Sequence, residues 1–215
     1  MDDIELKQLW KAYDHKLERS LALNLHIVTA IQTQKANAKL RSLAIFKKIA
    51  VVIGILWVIF LGCCVLHSFA YQKIFFVVSA LAVMIITSIT ILLYIYQIVL
   101  IRQINNSESI TATQTKLSVL QASTLQGVRI AFLQMPFYTT FFFSPAWISS
   151  DWAFWLIPLP ITLVFATAAI WLYRNINFKN ADKKWFRVLF NTPEWKNVIK
   201  AKEFVGEIEK FKEEL

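Results

Sequence analysis

The sequence predicts an all-helical, polytopic membrane protein with four transmembrane helices and a helical subdomain on the cytoplasmic side. Three observations carry this. Hydrophobic residues make up 57% of the 215, more than a soluble domain of this length usually holds. Chain breakers are scarce, with 4 glycines and 5 prolines, the first being Gly54 and Pro136, so long helices are expected rather than a sheet with many turns. Strand-period alternation with hairpin turns is not visible, which argues against an outer-membrane barrel.

Four segments have the roughly 20 apolar residues needed to cross the hydrocarbon core. They run over 49–66, 74–101, 128–148 and 152–173. In lipid each must satisfy its own backbone, which selects helix. If the four alternate, 22 of the 23 lysines and arginines and 13 of the 14 acids fall on one side, the exceptions being Lys73 and Asp151. The positive-inside rule makes that side the cytoplasm and puts both termini there. The acidic start Met1-Asp2-Asp3 is unlike a secretory leader, so the tail is expected to stay where it is made. The inferred location is a bacterial inner membrane. Trp147, Trp152 and Trp155 at one end, with Tyr94, Tyr96, Trp171 and Tyr173 at the other, suit the two interfacial belts.

The cytoplasmic part divides into 1–48, 102–127 and 174–215. Leu6, Leu9, Trp10, Tyr13, Leu17, Leu21, Val28 and Ile31 recur at helical spacings and form an amphipathic stripe. This helix either enters the membrane as one rod or bends near Asn24 or Asn37. In the 102–127 link, a turn at Asn105-Asn106-Ser107 precedes Ile110, Leu117, Leu120 and Leu125. A helical hairpin continuing into the third span is expected. In the tail, one helix is expected near 179–191. A second starts at Thr192-Pro193-Glu194, with Thr as cap, Pro at the first helical position and Glu favouring the dipole. These amphipathic pieces are expected to pack on each other, on a cytoplasmic protein partner, or on anionic lipid headgroups. Lys47, Lys48, Arg129, Lys183, Lys184 and Arg187 are the candidate headgroup contacts.

Within the membrane the polar residues Thr87, Thr90, Tyr94 and Gln97 of the second span share one face with Ser79. The third span carries Gln134, Tyr138, Thr139 and Thr140. Interhelical hydrogen bonding is their ordinary use, and a lined solute path is the functional alternative. No Asp, Glu, Lys or Arg lies deep in a span, which argues against an ion-coupled pump. Cys63, Cys64 and His67 offer too few ligands for a metal site. There is no nucleotide-binding glycine loop, HExxH or GxSxG motif, and three histidines are too few for a haem or di-metal oxidase. No cofactor, catalytic residue or nucleic-acid partner is expected. Association with further copies of the chain is compatible with the pattern.

The segment Leu6-Lys7-Gln8-Leu9-Trp10-Lys11-Ala12-Tyr13-Asp14-His15-Lys16-Leu17, with the basic juxtamembrane stretch and the four spans, resembles a group of bacterial four-span membrane proteins. That group has no assigned activity, so the resemblance implies topology and transfers no site. A cytoplasmic helical tail before a span also looks like the plan of membrane-tethered anti-sigma factors, whose zinc-type members carry a His followed by CxxC. This chain has no cysteine in that part. The expected function is a non-enzymatic membrane protein whose cytoplasmic helices bind or regulate a partner. A small channel or transporter component is the alternative, ahead of a membrane enzyme.

Overall fold

The computed structural model describes residues 3–70, 73–105, 110–150, 152–181 and 183–213. Every regular element among them is helical. Helix α1 runs unbroken over Asp3–Ala70, 68 residues, or about 100 Å at 1.5 Å per residue. No proline occurs in it, and its first glycine is Gly54, so nothing interrupts the hydrogen-bond ladder. The helix is not interrupted at Asn24 or Asn37. Helix α2 spans Ile74–Asn105 and packs antiparallel along α1. Gly54 allows this close approach, because a Cβ there would meet the Ile91 side chain at 3.0 Å.

The third apolar stretch is not one helix. Helix α3 covers Ile110–Phe132, α4 Met135–Thr140 and α5 Pro145–Ser150. Pro136 lacks the N–H that a continuous helix needs and its ring clashes with the carbonyl of residue 132. The chain tightens there instead, Leu133 N–H donating to the Ile130 carbonyl at 3.0 Å. Pro145 opens α5 at a position where no N–H is required. The fourth stretch is divided likewise into α6, Trp152–Leu156, and α7, Pro158–Asn175, with Pro158 at the start of the second piece. Among the described residues, three segments are long and apolar enough to cross a membrane: Trp10–Ser68, Ile74–Ile104 and Phe154–Asn175. The expected single helix over 128–148 is therefore replaced by shorter pieces, for which the prolines are the physical reason.

Beyond α7 lie a 3-10 turn at Phe178–Asn180, helix α8 at Lys184–Leu189 and helix α9 at Pro193–Glu213. Helix α8 is shorter than the expected 179–191. Helix α9 begins where Thr192-Pro193-Glu194 predicts, and the Trp195 N–H donates to Thr192 Oγ1 at 3.4 Å. The turn expected at Asn105-Asn106-Ser107 falls past the last residue of α2, Asn105, and its Asn106 and Ser107 lie outside the described residues, as do Asp151, the one acid expected on the outer side, and the side chains of Leu6, Leu9 and Ile110.

Among the described residues packing concentrates in three places. At the charged end, α1, the last turns of α2, α3 and α9 form a four-helix bundle around Leu40, Leu43, Ile101, Leu117, Leu120 and Val198. Leu117 and Leu120 are fully buried, as an apolar pair on an otherwise polar helix must be to avoid water. Beside this bundle, Leu125, Ile176, Phe186, Phe190 and Trp195 cluster where α8 turns into α9. The Phe186 and Phe190 rings stack at 4.2 Å. At the opposite end Val65, Val77 and Ala80 pack with Phe141, near an aromatic group in which Phe143 and Phe154 meet edge-on at 4.9 Å.

Candidate functional site

Lys47 lies at the end of the polar half of α1, just before the apolar run. It continues the 4-3-4 spacing of Ala36, Leu40 and Leu43 and so points into the bundle. The lysine is completely buried. Its ammonium donates to the Glu194 carboxylate of α9 and to Gln97 Oε1 of α2, and lies 4.5 Å from the Tyr94 ring centre. Glu194 sits in the first turn of α9, where the helix dipole favours its charge. Gly127 of α3 completes the enclosure: a Cβ there would lie 3.8 Å from the Tyr94 ring and 3.9 Å from Gln97 Nε2. Four helices thus converge on one buried ion pair. Gln97 Nε2 itself is buried with no partner among the described groups.

This corrects the assignment of Lys47 to lipid headgroups, since its ammonium cannot reach a lipid from inside the bundle. Lys48, Lys183, Lys184 and Arg187 are exposed. Arg129 has a protein partner: its Nε donates to the Tyr173 carbonyl at 2.8 Å, and its guanidinium lies 4.7 Å from the Tyr173 ring. It thereby satisfies a carbonyl in the last turn of α7, the negative end of that helix. Glu194 was legible as a helix-start residue only. Nothing in the local pattern links it to a lysine 147 positions away.

The polar residues along the apolar stretches hold the broken third segment to its neighbours. Thr87 Oγ1 donates to Gln134 Oε1 at 3.3 Å, and the Tyr138 hydroxyl donates to the same oxygen at 3.2 Å. Ser79 and Thr140 hydroxyls are 2.7 Å apart, joining α2 to α4. Those of Thr139 and Thr162 are 2.9 Å apart, joining α4 to α7. Thr139 Oγ1 also lies 2.7 Å from the Pro136 carbonyl, within the backbone that the break disturbs. Thr90 does not join this group and donates to the Ile86 carbonyl of its own helix at 3.0 Å. Tyr94 and Gln97 belong to the Lys47 site instead.

The third feature is the start of α1. Helix α9 lies along α1, with Glu207 reaching Gln32. Every described side chain from Trp10 to Asn24 is exposed. Trp10 is 65% exposed, Tyr13 68% and Leu17 59%. The stripe picked out by the sequence is thus not the face that packs in the bundle, which uses Ala36, Leu40 and Leu43. Cys63 is exposed and Cys64 partly so, and among the described residues no three His, Cys, Asp or Glu side chains come together as ligands.

Comparison with protein-family models, with curated proteins and with solved structures finds no match to this chain.

Proposed function

We propose that this protein is a multi-pass component of a bacterial inner membrane that binds a partner through the arm of α1 projecting into the cytoplasm. The observation that carries the reading is the row Trp10, Tyr13, Leu17 and Leu21, exposed together on one helix. Large apolar side chains grouped on a surface mark interaction sites, and an amphipathic helix is a common docking element.

In this reading the chain crosses the membrane four times, with both termini and the four-helix bundle inside. The charge partition supports it, with 22 of 23 basic residues on the inner side. The broken segment α3–α4–α5 serves as the third crossing. Irregular backbone at membrane depth is tolerated where protein covers it, and α4 lies against both α2 and α7. The hydroxyls there are engaged with one another and with backbone carbonyls, which favours a structural use over a solute path. Lys48, Lys183, Lys184 and Arg187 would meet anionic headgroups where the bundle adjoins the bilayer.

Deleting residues 1–20 tests the reading. The truncated protein should remain inserted, with position 115 labelled from the cytoplasm and position 150 from outside, yet lose its cellular phenotype and any co-purifying partner. Full activity of the truncated protein, or solute flux through the purified protein in liposomes, would replace this reading with the transport one.

A further inference from the structure

We propose that the stripe on the α1 arm is covered by the same stripe of a second copy of this chain, the two arms running parallel as a short two-stranded coiled coil. The inference rests on the reading of the arm as an interaction surface and names its occupant. Trp10, Leu17, Asn24 and Ile31 recur every seven residues, the period at which a helical seam stays on one side of a two-stranded supercoil. All four are exposed. Tyr13 and Leu21 widen the seam between them.

Around Lys16 the charges flanking the seam are complementary to those of a second copy. At 100° per residue Asp14 and Glu18, with Lys7 and Lys11 nearer the start of the helix, fall on one flank and Lys16 on the other, and all five are exposed. A two-fold axis parallel to the helix brings one flank of each copy against the opposite flank of its partner. Lys16 then lies at a height between Asp14 and Glu18 of the other copy, and the arrangement occurs twice per dimer. Ser20 and Asn24 are the polar residues along the seam, and a single asparagine in such a position fixes register and strand number.

The membrane supplies the orientation. Because α1 is unbroken from Asp3 to Ala70, the arm cannot swivel independently of the span. Two copies inserted in the same direction present their arms parallel and at equal height, so the stripes meet in register. The face that carries Ala36, Leu40 and Leu43 lies roughly a quarter-turn away, and α9 reaches the seam side only beyond the stripe, where Glu207 meets Gln32 and Lys35 lies over the Phe204 ring, so pairing over 10–24 leaves α9 in place.

The test is disulfide crosslinking of the full chain in native membranes, in a Cys63→Ala, Cys64→Ala background. Leu17→Cys and Asn24→Cys lie in the seam; Arg19→Cys and Ala22→Cys lie on the back. Oxidation should yield covalent dimers at the seam positions on the order of tenfold faster than at the back, because only the seam brings Cα atoms within disulfide reach. Lys16→Glu should suppress the Leu17→Cys dimer, and adding Asp14→Lys and Glu18→Lys should restore it. Equal rates at all four positions, or no rescue by the charge exchange, would overturn the second-copy assignment. If the seam fails to crosslink while Leu17→Asp still abolishes the phenotype, the arm binds a different protein and the function proposed above survives. If Leu17→Asp is also harmless, both readings fall.

Discussion

Removing Glu194 isolates the effect of a buried charge left without its partner. In Glu194→Leu the Lys47 ammonium remains fully enclosed and keeps only Gln97 and the Tyr94 ring. Deleting one member of a buried pair typically costs about 3–5 kcal/mol. An upper limit follows independently, because the lysine can give up its proton. From an ordinary value of about 10.4, neutralisation at pH 7 costs about 4.6 kcal/mol, so the loss in α9 docking should lie between about 3 and 4.6 kcal/mol at that pH. At pH 9 the same limit falls to about 1.9 kcal/mol. The sign follows from proton linkage: a detached, solvated Lys47 binds a proton that the enclosed one has lost, so docking strengthens as pH rises. Hydrogen exchange of the amides over 195–205, corrected for intrinsic rates, reads this local opening directly. Protection should fall roughly a hundred- to thousandfold at pH 7 and partly recover at pH 9. Lys47→Met combined with Glu194→Leu should restore protection to within about 1 kcal/mol of the parent, since apolar replacement of a buried pair is often neutral or better. A loss below about 1 kcal/mol in the single variant, or one independent of pH, would refute the reasoning.

Three further outcomes are expected. Replacing Leu117 and Leu120 by Asp puts two charges into the centre of the four-helix bundle; protease sensitivity over 102–127 should rise sharply, and a double variant as resistant as the parent would contradict the packing. Gly54→Val places side-chain atoms against Ile91, only 3.0 Å from the added Cβ, and should lower stability by about 1–3 kcal/mol, as overpacking does, read by thermal unfolding in detergent. Arg129→Ala leaves the Tyr173 carbonyl without its side-chain donor; faster amide exchange confined to 172–176 is expected, with a loss of about 1–2 kcal/mol, and no change there would remove Arg129 from the capping role.

Local composition and period determined the helical class, the two long apolar helices and the start of α9. These rest on interactions between residues three or four apart, or on the absence of breakers, and both are visible in a linear chain. Pro136, Pro145 and Pro158 were equally visible, yet a proline can kink a helix or end it. Which occurs depends on whether neighbours satisfy the freed backbone, and here the chain breaks into short pieces beside α2 and α7. The stripe of 6–31 gathers apolar residues on one side of a helix, but what covers a face is a question of reach. Helix α9 has 21 residues, about 32 Å, and pairs with α1 around Gln32 to Lys47, leaving Trp10 and Tyr13 uncovered. The fate of Lys47 was the furthest from view. A lysine before an apolar run reads as a headgroup anchor until a distant glutamate is brought to it, and only the packing of four helices brings Glu194, Gln97 and Tyr94 around one ammonium.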